Sequence, residues 1–226
     1  MSRADIQTCQ AAGKKILLSL GGAAGSYGFT SDSQAESFAD ELWNLFGGGS
    51  SSARPFGDVI IDGFDLDIEG GSTTGYAAFI NQMRTHYASD TSKTYYISGA
   101  PQCPIPDAYL NPALTTAHFD FIFVQFYNNY CTLPVSVDGE LIVGGVNYYV
   151  EGQTTNFNFA DWDTFAKTQS YNPNVKVFLG VPAAQSAAGT GYVDIETLGS
   201  AAQDLQSTYS SFGGIMMWYA SLNVTD

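Results

Sequence analysis

The strongest constraint in this sequence is an alternation. Short apolar, β-branched runs recur, and stretches with helical spacing separate them. Residues 16–20, 59–69, 95–100, 121–127, 175–181 and 214–219 read as strands. Residues 31–46, 74–87, 159–168 and 197–209 read as helices. In the first of these, Phe38, Leu42, Leu45 and Phe46 share one face, and Asp32 or Ser33 is placed to cap it. Strands alternating with helices predict a parallel α/β fold with helices covering the sheet. The strands are near-continuous apolar runs, as expected of strands buried on both faces. Polar and aromatic residues gather at their C-terminal ends: Gly21-Gly22, Glu69, Gln102, Gln125, Tyr127, Asn128, Trp218 and Tyr219. In (β/α) barrels that end of the strands carries the active site.

Length and charge remove several functions. A chain of 226 residues can bury one core, and no segment reads as a domain linker, so one domain over 1–226 is expected. Charged residues are 13% of it, with 8 Lys and Arg against 22 Asp and Glu, a net charge of −14. So few cations cannot line a phosphate-tracking groove or dock on an anionic bilayer, which excludes nucleic acid and membrane as partners. A content of 45% apolar and 14% aromatic residues argues against disorder. The result is an acidic, Tyr- and Gly-rich domain of the kind secreted for action on an uncharged substrate. No leader-like pattern precedes residue 10, so the chain reads as intracellular or as beginning downstream of its natural start. Cys9, Cys103 and Cys131 make an odd number, and His86 and His118 are the two histidines. Without a C-x-x-C pair, zinc is not expected, and both histidines read as incidental and solvated.

The most informative run is Asp62-Gly63-Phe64-Asp65-Leu66-Asp67-Ile68-Glu69. On a strand, Asp65, Asp67 and Glu69 point to one face and Phe64, Leu66 and Ile68 to the other. Acids are poor strand formers, and three on one face repel. Such crowding keeps one or more of them protonated near neutral pH, the state a glycosidase acid needs. A calcium loop is the competing pattern, but its bidentate acid would fall at Tyr76. No metal or cofactor is expected.

The same residues resemble a known signature. DGFDLDIE at 62–69 is similar to the D-x-x-D-x-D-x-E motif of family 18 glycoside hydrolases, and ILLSLGG at 16–22 to that family's S-x-G-G strand. SGAPQCP at 98–104, VQFYNN at 124–129, KVFLGVPAA at 176–184 and GGIMMWYASLN at 213–223 resemble later strands of plant and fungal class III chitinases, the fungal ones more closely. The resemblance implies a (β/α)8 TIM barrel and hydrolysis of the β-1,4 bonds of chitin. It implies retention through an oxazolinium formed by the substrate's own acetamido oxygen, in place of a protein nucleophile. On this pattern Glu69 is the general acid, Asp67 orients the acetamido N–H and Asp65 partners Asp67. Tyr127 steadies the acetamido carbonyl, Gln125 and Asn128 line the site, and Trp218 stacks under the sugar. Bland readings stand beside these: Gln125 as a partner of backbone groups, Tyr127 and Trp218 as core, Gly21-Gly22 as room for close backbones. The resemblance also implies a Cys103–Cys131 disulfide, with Cys9 left over, against free buried thiols as the alternative.

Two departures from the family pattern are expected to matter. Six strands stand where a TIM barrel has eight, so the first two strands are expected to be absent from this chain, with residues 4–13 the helix before the third. Residues 138–156 form an irregular stretch, read as a loop insertion. Chitin or N-acetylglucosamine oligosaccharides are the expected partners, with a monomer if the barrel is complete. Secretion to the extracellular space or cell wall is expected, with a sequon at 223–225. Two alternatives remain: an endo-β-N-acetylglucosaminidase on N-glycans, and a non-catalytic chitin-binding, lectin-like or inhibitor relative.

Overall fold

A computed structural model describes residues 2–25, 27–133, 148–150 and 153–219. The chain divides into two compact units: Met1–Gly99 with Tyr109–Asp120, and Ala100–Ala108 with Phe121–Asp226.

The first unit runs α1 (Arg3–Ala11), β1 (Leu17–Gly22), α2 (Asp32–Phe46), β2 (Gly63–Ile68), α3 (Tyr76–Ser89), β3 (Tyr96–Gly99) and α4 (Asn111–Thr116). Its strands pair in parallel in sequence order, Ser19 beside Asp65 and Asp65 beside Ser98. The cap of α2 is Ser31, whose hydroxyl accepts from the Gln34 amide at 3.2 Å, rather than Asp32 or Ser33. Helix α4 was not visible in the sequence: it is 6 residues long, with Pro112 in its first turn and few periodic positions to read. The core is aromatic. Phe64 and Phe79 meet edge to face, and Ala35, Ala39, Leu42 and Trp43 of α2 are buried with Tyr76, Phe79, Ile80 and Met83 of α3.

Asp62 anchors the N-terminal end of β2. It is 2% exposed and accepts from the Ile16 amide, Gln10 Nε2 and Lys93 Nζ, each at 2.8 Å. Burial alone would raise its pKa, but these donors prevail and hold it below the usual range. His86 is not incidental: its Nε2 lies 2.6 Å from Asp40 Oδ1, and its ring stacks on Trp43. The pairing joins α2 to α3, and no local pattern announces a contact between residues 46 apart in sequence.

The second unit runs β4 (Phe121–Gln125), β5 (Tyr148–Val150), β6 (Gln153–Thr155), α5 (Phe159–Thr168), β7 (Lys176–Pro182), α6 (Ile195–Thr208) and β8 (Phe212–Trp218). Strand β7 pairs in parallel with β4 on one side and with β8 on the other. Phe126, Phe159, Trp162 and Phe165 fill its interior. Most of the stretch read at 138–156 lies outside the described residues, and β5 and β6 within it pair antiparallel. The sequon at 223–225 also lies outside them. The six strands read from the sequence are thus present, three in each unit, all parallel to their neighbours within it.

Candidate active site

Strand β2 carries Asp65 and Asp67, and Glu69 follows one residue past its end. Phe64, Leu66 and Ile68 are 1–3% exposed on the helix side, so Asp65 and Asp67 face the other way. Asp65 sits between its two register partners. Ser19 Oγ on β1 donates to its Oδ2 at 2.7 Å, and Ser98 Oγ on β3 donates to its Oδ1 at 2.6 Å. Two serines on flanking strands thus fix both oxygens, yet burial outweighs them and raises the Asp65 pKa.

Asp67 is 8% exposed. Its pKa is pushed up to about 7, first by burial, then by the charges of Glu69 and Asp65, and by a hydrogen bond with Glu69. Asp67 therefore keeps its proton in mildly acidic solution and loses it as pH rises through about 7. A carboxyl that keeps a proton where isolated carboxylates have lost theirs, hydrogen-bonded to a second carboxyl, can pass it on toward a leaving oxygen.

Glycine is needed where β1 passes this pair. Gly21 lies beside Asp67 at a φ of 106°, and a Cβ there would run into the Asp67 carbonyl oxygen. Close approach of the two backbones, the bland reading of Gly21, is therefore real, and it is what places Asp67.

One residue of this neighbourhood escaped the sequence reading. Tyr27, in the loop after β1, donates its hydroxyl to the Gly22 carbonyl at 2.7 Å and accepts the Glu69 amide at 2.8 Å. Both partners are backbone groups, so no side-chain pattern could have pointed to it.

The remaining candidates lie in the second unit. Gln125, 4% exposed, closes β4 and donates Nε2 to the Ala100 carbonyl at 2.9 Å. Tyr127, 7% exposed, follows two residues later. Asn128 adopts a φ of 54°, and its Oδ1 accepts the amides of Gly189 and Thr190 at 2.8 and 3.2 Å. Its carboxamide oxygen is thus engaged in holding the 189–190 loop. Trp218 ends β8 beside Pro182 with 42% exposure, against 1% for Trp162 in the core. Cys103 and Cys131 are bonded to each other, and Cys9 is a free thiol. The bridge ties the segment after β3 to the loop after β4, and the Cys103 carbonyl accepts from Asn158 Nδ2 and Trp162 Nε1, both at 2.9 Å.

The structure thus brings Asp65 and Asp67 on β2 together with Glu69 just past its end, and adds Tyr27 to them. Gln125, Tyr127 and Asn128 stand together past β4, and Trp218 stands at the end of β8.

The model of a family described as glycosyl hydrolases family 18 matches residues 2–220. "Chitinase 2" of Rhizopus oligosporus is 51% identical over 218 residues, which are 96% of this chain and 36% of that protein. The chain spans roughly a third of the length of the curated relatives it matches first. Among solved structures, ICChI chitinase from Ipomoea carnea aligns at 35% identity with a TM-score of 0.78, covering 96% of this chain and 72% of that one. A xylanase and α-amylase inhibitor protein from Scadoxus multiflorus aligns at 31% identity with the same TM-score of 0.78 and the same coverage of 96% and 72%.

Proposed function

The chain belongs to glycosyl hydrolase family 18, and from that membership we propose that it hydrolyses the β-1,4 bonds of chitin with retention of configuration. The observation that carries this reading is the placement of three carboxylates: Asp65 and Asp67 on one face of β2, and Glu69 just past its end, hydrogen-bonded to Asp67. In the proposed reaction Glu69 gives a proton to the glycosidic oxygen as the bond to the anomeric carbon breaks. The acetamido carbonyl oxygen of the same sugar forms the new bond to that carbon, giving an oxazolinium. Asp67 accepts the acetamido N–H, which aims the carbonyl and balances the positive charge that develops. Glu69, now a carboxylate, takes a proton from the water that opens the ring. Asp65, held by Ser19 and Ser98, keeps Asp67 in line. Tyr127 steadies the acetamido carbonyl, and Trp218 offers an exposed ring face to the sugar. Gln125 and Asn128 act by holding backbone around Tyr127.

A second reading has an observation in its favour. One of the similar structures is of an inhibitor protein, so the fold also serves proteins described by what they inhibit. The intact Asp65, Asp67 and Glu69 set favours catalysis. Secretion follows from a polymeric substrate, and no helix among the described residues is long and apolar enough to cross a membrane.

Products separate the possibilities. Incubation with N-acetylglucosamine oligomers is expected to release shorter oligomers whose new reducing ends are first β by proton NMR. Release of glycans from a glycoprotein by cleavage between the two core N-acetylglucosamines, with oligomers untouched, would instead assign N-glycans as substrate. Binding of oligomers without cleavage would assign the non-catalytic role.

A further inference from the structure

Glu69 lies one residue beyond the end of β2, where the sheet no longer fixes its backbone. The last rung between β1 and β2 is Gly22 beside Ile68. Past that rung the Tyr27 oxygen stands between the strands, bonded to the Gly22 carbonyl at 2.7 Å and to the Glu69 amide at 2.8 Å. One hydroxyl thus replaces the next rung of the ladder and uses both its proton and a lone pair to do so. The Tyr27 backbone is gripped from the other side as well. Gly71, at a φ of 76° in the turn after Glu69, packs so closely that a Cβ there would lie 2.5 Å from the Tyr27 carbonyl oxygen.

We propose that Tyr27 is a positioning residue: its hydroxyl sets the backbone of Glu69 and so aims the acid at the glycosidic oxygen. The role rests on Glu69 being the acid. It follows from the needs of proton transfer, for which a displacement of about 1 Å lowers rates by about a hundredfold. Without the hydroxyl, the Glu69 amide and the Gly22 carbonyl lose their shared partner, and the Glu69 carboxyl drifts from Asp67. The Tyr27 hydroxyl does not act on the sugar in this account, so substrate affinity is unaffected.

The test is Tyr27→Phe in the full chain, assayed on a soluble N-acetylglucosamine oligomer across pH. The expected result is a kcat lower by roughly 10- to 100-fold with KM within about twofold. The limb where activity falls at high pH should move to lower pH, because Asp67 loses the neighbour that raises it. Tyr76→Phe is the control, since the buried Tyr76 hydroxyl has no hydrogen-bond partner among the described residues. Its rate and profile should match the wild type. A kcat unchanged by Tyr27→Phe, or one lowered with the pH profile fixed, would overturn the proposal, as would a raised KM at constant kcat. In a Glu69→Gln background Tyr27→Phe should cost nothing further, and full additivity would also overturn it. Glu69→Gln with wild-type activity would overturn the role of Glu69 instead, so the two failures are distinct. Should the phenylalanine variant not fold, hydrogen exchange on the wild type decides: the Glu69 amide should be protected, and exchange at the rate of an exposed loop amide contradicts the bridge.

Discussion

Asp67 is asked to be two things, a buried group and a charged one, and its elevated pKa is the result. Burial and the charges of Glu69 and Asp65 push it from an ordinary 3.8 to about 7. A folded-state pKa raised this far destabilises the fold progressively between about pH 4 and 7, and the penalty is constant above that. Asp67→Asn is therefore expected to abolish activity yet gain stability on the wild type across that window. The gain at neutral pH is on the order of a few kcal/mol, read from urea unfolding at pH 4, 6 and 8. The charge of Asp65 is one of the causes of the elevation, so Asp65→Asn should move the high-pH limb of activity to lower pH, seen in a pH–rate profile. These three acids were legible in the sequence because a period of two puts them on one face, and because acids in an apolar run demand a reason. Tyr27 was not legible, since it binds two backbone groups. The roles of Gln125 and Asn128 were half legible: their place past β4 could be read, but their engagement with the Ala100 carbonyl and the 189–190 amides could not.

Strands and their connections show what holds those residues in place. The β1–β2 contact depends on Gly21, whose φ of 106° excludes other residues and whose missing Cβ admits the Asp67 carbonyl. Gly21→Ala should lower stability by more than about 1 kcal/mol and lower activity with it, measured by denaturant unfolding beside the oligomer assay. In the second unit the Cys103–Cys131 bridge closes a loop with a sequence separation of 28. On chain entropy, Cys131→Ser should cost about 3.5 kcal/mol of stability, checked by unfolding with and without reductant. The bridge could be anticipated only by resemblance, since three cysteines allow several pairings. Boundaries shifted where capping chemistry or short length decided them. Helix α2 is capped by Ser31 rather than by Asp32 or Ser33, and β2 begins at Gly63, four residues later than its apolar run suggested.

At the scale of the molecule, charge and fold point to the same kind of ligand. A net charge of −14 opposes the approach of a polyanion, and N-acetylglucosamine polymers carry no charge. KM for such oligomers should accordingly change little between low and high salt, whereas steering by charge would make it salt-dependent. The parallel α/β class was legible from the alternation alone, because apolar runs of strand length alternate with stretches at helical spacing. The division into two compact units was not legible, since no composition shift marks the boundaries near residues 100, 109 and 121. Initial rates of wild type and Glu69→Gln on the same N-acetylglucosamine oligomer test the acid role of Glu69 most directly. A loss of about 10²- to 10⁴-fold in kcat is predicted, with the oligomer still bound. A Glu69→Gln rate within a few-fold of wild type would contradict it.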